Sequence, residues 1–199
     1  MRRRLILMAL ALLPIRAGAI TTLSAGEVLR GRFVQERHLQ GFTAPLHTEG
    51  HFVLAPGKGL IWQAETPFAI TTVITASGLV QDVGGLETMR LAASRLPFLS
   101  HLYAMLSGAL SGDWHDLDSD FTVTRSGDAA HWHADLIAKH SDAASMSFTR
   151  IRISGSQFVD QVRIDKPNGD SEQLTFSDQA LSRSPLTPEE AGNLARLAG

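Results

Sequence analysis

Between residues 29 and 83 the chain alternates apolar and polar positions with a period of two. Leu29, Gly31 and Phe33 fall on one face of the first segment, and the arginines between them fall on the other. Such alternation is typical of a β-strand with one buried face. Consecutive short strands separated by tight turns predict an antiparallel meander. The pattern returns in four further segments: 50–55, 60–64, 68–75 and 79–83.

Strand-like segments resume after residue 120, and their turns have characteristic sequences. Pro167-Asn168-Gly169-Asp170 contains Asn-Gly, the strongest short signal for a β-hairpin. Thr187 followed by Pro188 and two glutamates predicts a helix N-terminus, because Thr caps the helix and acids favour its first turn. The predicted strands of this half are 121–125, 132–138, 148–154, 157–166 and one that contains Leu174 and Phe176.

The segment between the two groups of strands has helical spacing. Pro97 suits a first helical turn, apolar residues recur every three to four positions over 98–110, and Gly112 ends the segment. This helix is either a core helix or a lid over a cavity, and an antiparallel sheet is compatible with both. About ten strands and these helices predict an α+β fold built on a strongly curved antiparallel sheet.

The N-terminus has the three-part pattern of a secretory signal peptide. Arg2, Arg3 and Arg4 precede an apolar run, and Ala17-Gly18-Ala19 provides the small residues that signal peptidase requires. The run is too short to span a bilayer. We therefore predict a signal peptide over 1–19, cleavage near Ala19, and one domain over 20–199 in the periplasm.

Charge and composition narrow the function classes. Four of the 18 basic residues and none of the 20 acidic residues lie in the predicted signal peptide, so the mature protein is formally near −6. This charge disfavours nucleic-acid binding, which needs basic patches. The chain has no cysteine, which excludes thiol catalysis and a lipid-anchoring cysteine.

The search for catalytic and metal sites nominates no residue. No Gly-x-Ser-x-Gly elbow and no phosphate-binding glycine loop is present, so we expect no cofactor and no enzyme activity. Asp116, Asp118 and Asp120 have the spacing of calcium ligands, but Phe121 replaces the glycine that such a loop requires. His131-Trp132-His133 places two histidines on one strand face without an identifiable third ligand, so we assign no metal site.

Several short motifs resemble the periplasmic outer-membrane lipoprotein carrier (LolA-like) family. The family shows a G-x-F-x-Q strand, a G-x-F strand, a strand with an apolar residue two positions before a Trp, and a Pro-aromatic turn, in this order. The second half of the chain fits through Gly112-Asp113, Trp132 before Leu136 and a closing hairpin over 162–176. The matching segments of the first half are Gly31–Arg37, Gly41-Phe42 with Pro45-Leu46, Gly50–Phe52, Leu60–Trp62 and Glu65–Phe68.

The resemblance implies an unclosed half-barrel with a helical lid over an apolar cavity that receives acyl chains. It implies no catalysis, an acylated lipoprotein or another lipid as cargo, an inner-membrane donor and an outer-membrane acceptor; we expect a monomer. From the resemblance and the alternation together, we predict that the cavity is lined by Phe33, Phe52, Leu54, Trp62, Phe68, Ile70, Leu99, Leu102, Met105 and Leu106.

One position departs from the family pattern. Carriers of this family hold the lid closed with an arginine between the second and third strands, whereas Ala55–Gly59 contains only Lys58. Lysine lacks the planar fork of an arginine clamp. The chain therefore resembles a divergent branch found with lipid or pigment biosynthesis systems, for which a glycolipid or polyene-type lipid is the implied cargo. The alternatives are an envelope scaffold of the same fold that binds a protein partner, and a lipid-modifying hydrolase.

Overall fold

The N-terminal alternation forms six strands that follow one another in hairpin succession. The computed structural model describes Leu23 and residues 26–92, 121–128, 130–139 and 148–197. Each strand pairs antiparallel with the next, as the predicted meander requires. The strands are β1 (Val28–His38), β2 (Leu46–Ala55), β3 (Gly59–Thr66), β4 (Ile70–Thr75), β5 (Gly78–Val83) and β6 (Leu86–Ala92).

The C-terminal strands complete the same sheet. The last strand pairs antiparallel with β1, Phe33 opposite Phe176, which joins the two halves of the chain. The resulting order is β6-β5-β4-β3-β2-β1-β11-β10-β9-β8-β7, so β6 and β7 are the edges and the described strands do not close into a barrel. The strands of this half are β7 (Phe121–Gly127), β8 (Trp132–Ala138), β9 (Arg150–Gly155), β10 (Val159–Asp165) and β11 (Ser171–Ser182).

The two faces of the sheet have different partners. We call the face that carries Phe33 the inner face and the opposite face the outer face. Phe158, which precedes β10, packs with the inner-face cluster on β1–β3, so the sheet curves towards the inner face. The outer face of β7–β10 is polar and holds an open groove of about 390 Å³. The N-terminal half of the outer face is instead apolar and packs against the C-terminal helix.

The C-terminal helix, α1 (Pro188–Ala195), begins where its sequence predicts. The Thr187 hydroxyl accepts from the Glu190 N–H, and the Glu190 carboxylate accepts from the Thr187 N–H, which completes a capping box. Leu194 of α1 and Leu197 beyond it are buried against outer-face residues of β1, β2, β3, β4 and β5. Ion pairs fix the helix at both ends: Arg30 with Glu190 at one end, and Arg196 with Asp82 and Glu87 at the other.

Strand β6 is an element that the alternation of residues did not predict. Its residues are almost all exposed, because it is an edge strand, so its sequence lacks an apolar period. The signal that identifies it is Gly84-Gly85, whose φ angles of 59° and 85° are both positive. Two adjacent residues with positive φ form the tight turn that two-residue hairpins require, and glycine adopts this conformation without strain.

Two local expectations are corrected by the structure. The strand predicted over 68–75 begins only at Ile70, because residues 67–69 form the loop between β3 and β4. Strict alternation over the predicted strand 148–154 would put Phe148 on the face opposite to Ile151, yet Phe148 is buried beside Ile151. The reason is that Phe148 precedes the start of β9 at Arg150, where strand alternation does not apply.

Several predictions concern residues outside the described ranges. These are the signal peptide, the helix over 98–110 and the aspartates at 116, 118 and 120. Among the residues described, no helix combines the length and apolarity that crossing a membrane would need. The same residues contain no cluster of three His, Asp or Glu side chains placed to hold a metal ion.

Candidate functional site: the apolar inner face

An aromatic cluster occupies the middle of the inner face. The rings of Phe33 and Trp62 stack with centroids 3.7 Å apart, and the ring of Phe52 lies 6.2 Å from that of Trp62. Phe176 of β11 meets Phe52 and Trp62 edge-on, at 5.5 and 6.1 Å. The edge-on contacts of Phe176 have a geometry that aromatic rings prefer. The four rings come from β1, β2, β3 and β11 and form one apolar surface across the centre of the sheet.

Glycine at position 31 gives this surface its shape. A Cβ atom at Gly31 would lie 2.7 Å from Cε1 of Phe52, closer than real side chains approach. The Phe52 ring therefore lies over the backbone of β1. The family motif that begins with Gly31 thus has a packing reason: the missing side chain makes space for an aromatic ring on the neighbouring strand.

The predicted cavity residues divide into three groups. Phe33, Phe52 and Leu54 are buried on the inner face, and Trp62 and Ile70 lie on the same face, partly buried. Phe68 lies in the β3–β4 loop and is 69% exposed. The remaining four lie outside the described residues: Leu99, Leu102, Met105 and Leu106.

The inner face continues over the C-terminal strands, which the candidate list from the sequence does not include. A second cluster contains stacked Phe121 and Phe148, with centroids 5.7 Å apart. Trp132 belongs to the same cluster, and its Nε1–H donates to the carbonyl oxygen of Ser156 at 2.8 Å. Phe176 contacts both clusters and makes the apolar surface continuous. The cluster also includes Ala134, Leu136, Ile151, Ile153 and Val159.

A polar cluster lies at one end of the inner face. The Glu172 carboxylate accepts hydrogen bonds from Lys166 Nζ at 2.7 Å, Arg37 Nε at 3.1 Å and Gln35 Nε2 at 3.3 Å. Burial raises the pKa of Glu172, but the hydrogen bond from Lys166 and the charges of Lys166 and Arg37 outweigh burial and leave this pKa lowered. The carboxylate is therefore ionised at neutral pH and ties β1, β11 and the β10–β11 turn together where the apolar surface ends.

The turn between β2 and β3, where an arginine clamp was expected, carries Lys58. Lys58 is exposed, and with Gly57 it lines an outer-face groove of about 400 Å³ beside Leu194 of α1. Its backbone N–H donates to the carbonyl oxygen of Ala55 at 3.0 Å, which closes the turn. Within the part of the chain that the structure describes, the residue at the expected clamp position thus lies next to the C-terminal helix.

Comparison with known proteins decides the family. The family model described as "Outer membrane lipoprotein carrier protein LolA-like" matches residues 17–180. The chain belongs to this LolA-like family. The match covers the strands that carry the aromatic cluster and ends within β11. Among curated proteins, no sequence matches this chain.

The solved structures that this chain resembles include three from different bacteria. A LolA superfamily protein from Nitrosomonas europaea is 9% identical, with a TM-score of 0.45 over 87% of this chain and 92% of that chain. A domain named for outer-membrane lipoprotein sorting, from Vibrio parahaemolyticus, is 11% identical, with a TM-score of 0.41 over 87% and 92%. Lipoprotein LppX from Mycobacterium tuberculosis is 8% identical, with a TM-score of 0.36 over 79% and 88%.

Proposed function

We propose that this protein is a periplasmic carrier that binds the acyl chains of a lipoprotein or lipid on its inner face. It ferries this cargo from an inner-membrane donor to an outer-membrane acceptor, as a monomer and without catalysing a reaction. Membership of a LolA-like, extracytoplasmic family of lipid- or lipoprotein-binding proteins supports this function. The N-terminal signal-peptide pattern agrees with export and processing near Ala19.

The observation that carries the proposal is the continuous apolar inner face. Its aromatic cluster joins the two halves of the sheet through Phe176, and Trp62 and Ile70 remain partly accessible beside the buried rings. Each methylene of an acyl chain that leaves water on such a surface contributes about 0.8 kcal/mol. A long chain therefore binds by shape and apolarity alone, with no catalytic group.

The polar cluster around Glu172 suits the head group of such a cargo. It stands at the end of the apolar surface and presents two cations, Lys166 and Arg37, around one carboxylate. A polar head group that remains beside this cluster keeps its hydrogen bonds while the acyl chain lies along the aromatic rings. A lipoprotein N-terminus, a glycolipid and a polyene-type lipid each combine an apolar chain with a polar end.

Native mass spectrometry of protein purified from the periplasm, followed by solvent extraction, tests the carrier function. We expect the mass of a polypeptide that begins near Ile20, together with a stoichiometric adduct that is removed by solvent extraction. The mass of the extract distinguishes an acylated protein from a glycolipid or polyene-type lipid. A cargo-free protein that also takes up no lipid from vesicles would contradict the proposal and favour an envelope scaffold.

Titration with a fluorescent fatty acid tests the inner face itself. Trp62→Ala removes a partly accessible ring and is expected to weaken binding roughly tenfold. The free energy of unfolding should fall by less than the free energy of binding does. Ile61→Ala is the matched control, since Ile61 directly precedes Trp62 in β3 and is buried on the outer face. Ile61→Ala should cost about 2–5 kcal/mol of stability and leave the affinity of the folded molecules unchanged.

A further inference from the structure

Three hairpin connections meet at one end of the sheet. Because the strands are antiparallel, the β1–β2, β3–β4 and β5–β6 connections all lie where β1, β3 and β5 end. We call this end of β1–β6, with its three connections, the rim. Five of the seven large apolar side chains that are exposed among the described residues lie there: Phe42 (69%), Leu46 (50%), Phe68 (69%), Val83 (40%) and Leu86 (75%).

The rim is continuous with the inner face. Ile70 lies opposite Ala64 on one side and Val83 on the other, and Val83 lies opposite Leu86. Directly opposed residues of an antiparallel pair project to the same face of the sheet. A row of apolar side chains therefore runs from the inner face to Leu86, and Phe68 lies in the adjoining loop.

Charges beside the rim are paired within the protein. Arg37 and Lys166 are bonded to Glu172, and Arg90 is bonded to Glu87 through both carboxylate oxygens. Such pairs attract an anionic surface less strongly than unpaired cations would. The feature that the rim presents to a partner is thus apolar rather than basic.

The arrangement of the side chains indicates the kind of partner. Phe42 and Phe68 lie in the β1–β2 and β3–β4 connections, and Leu86 begins β6 directly after the third connection, each with more than half of its side chain exposed. A protein partner would need a matching pocket for each projection, whereas the interface of a fluid bilayer adapts to all of them. Aromatic and aliphatic side chains with a polar surround are the groups that bury into the head-group region of a membrane.

We propose that the rim docks on a lipid bilayer and inserts Phe42, Phe68 and Leu86 into its interface. Docking in this orientation opens the inner face towards the acyl chains of the membrane. The inference goes beyond the carrier function, because it assigns a membrane surface as a direct partner and holds whether or not the inner face carries cargo. Because the contact is apolar, it should form on zwitterionic phosphatidylcholine and persist at high salt.

Co-sedimentation with phosphatidylcholine vesicles tests this docking, with protein purified from the periplasm. The double variant Phe42→Ser/Leu86→Ser, which leaves every predicted cavity residue unchanged, is expected to lower the partition coefficient by roughly tenfold or more. Ile137→Ser is the matched control: Ile137 is 48% exposed but projects from the outer face in the other half of the sheet. The control should bind vesicles as the wild type does, and all three proteins should show the same thermal unfolding midpoint.

Three results would overturn the docking inference. They are equal binding by the wild type and the double variant, binding that requires anionic lipid and disappears at high salt, and no vesicle binding by the wild type. Fatty-acid uptake in vesicle-free solution separates this failure from that of the carrier function. The double variant should retain uptake, and a wild type that docks without uptake would refute only the carrier.

Discussion

Gly50 shows how a single residue position sets the spacing between β2 and β3. A Cβ atom there would lie 1.9 Å from the backbone carbonyl oxygen of Gln63, and the register between the two strands shifts at this point. The sequence placed Gly50 on the same face as Phe52, which the structure confirms. The close approach of the neighbouring backbone was not predictable, because it depends on the shift opposite Glu49 and Gly50.

Replacing Gly50 by alanine is expected to destabilise the protein, because the methyl group would have to displace backbone of β3. We expect a loss of about 2 kcal/mol or more in the free energy of unfolding by urea. Gly192→Ala is the control, since Gly192 lies within α1 and a Cβ there meets no atom within 4 Å. That substitution should stabilise by about 0.5–1 kcal/mol. Equal stability of Gly50→Ala and wild type would contradict the close approach.

The helix α1 is attached to the sheet by charge as well as by apolar contact. Arg30 of β1 donates from Nε and Nη2 to the two carboxylate oxygens of Glu190, at 2.8 and 2.7 Å. At the other end, Arg196 bonds Asp82 and Glu87. Hydrogen bonding from Arg90, aided by Arg196 and opposed by burial, lowers the pKa of Glu87 to about 2. The sequence predicts the start of this helix from its cap, but its partners lie on strands remote in sequence.

The Glu190 contact predicts a pH dependence of stability. The hydrogen bonds from Arg30 lower the pKa of Glu190, burial opposes them, and the Thr187 N–H adds to the lowering. A lowered pKa in the folded state means that the contribution is present above the unfolded value of about 4.3 and is lost as the pH falls through the folded value. Glu190→Gln should therefore reduce the free energy of unfolding by about 1 kcal/mol at neutral pH.

Urea unfolding of the wild type and Glu190→Gln as a function of pH measures this dependence. The difference between the two proteins should be constant at neutral pH and shrink as the pH is lowered below about 4. Glu189→Gln is the control, since Glu189 lies in the same helical turn and is exposed. A difference between wild type and Glu190→Gln that does not change with pH would show that the carboxylate charge has no role.

At the scale of the whole molecule, the sheet has one face that a helix of the chain covers and one that gathers aromatic rings. The outer face of β1–β5 buries its apolar residues against Leu194 and Leu197. The inner face gathers residues from both halves of the chain, and Phe176 joins them. Binding of an acyl chain to this face of the native state alone would stabilise the folded protein.

Ligand-dependent stability is therefore expected of the intact protein. A fatty acid at a hundredfold excess over its dissociation constant should stabilise the wild type by about 2.7 kcal/mol, seen as a rise in the thermal unfolding midpoint. Trp62→Ala should show a smaller rise at the same fatty-acid concentration, because its affinity is lower. The same rise in both proteins would place the ligand away from the aromatic cluster.

The sequence by itself determined the features that depend on neighbours along the chain. The alternation of Phe33, Phe52 and Trp62, the Asn168-Gly169 hairpin and the Thr187 cap all arise from local periods and turn chemistry, and the structure confirms them. The short motifs also indicated the family that the comparison assigns.

Only the tertiary structure decided which distant residues share the inner face. The pairing of β1 with β11 brings Phe176 to Phe52 and Trp62, and no local pattern encodes that contact between opposite ends of the chain. The exposed edge strand β6 had no apolar period to reveal it. The loop position of Phe68 likewise depends on where β3 ends and β4 begins. Local periodicity specifies which face a side chain takes, whereas strand pairing specifies which side chains meet there.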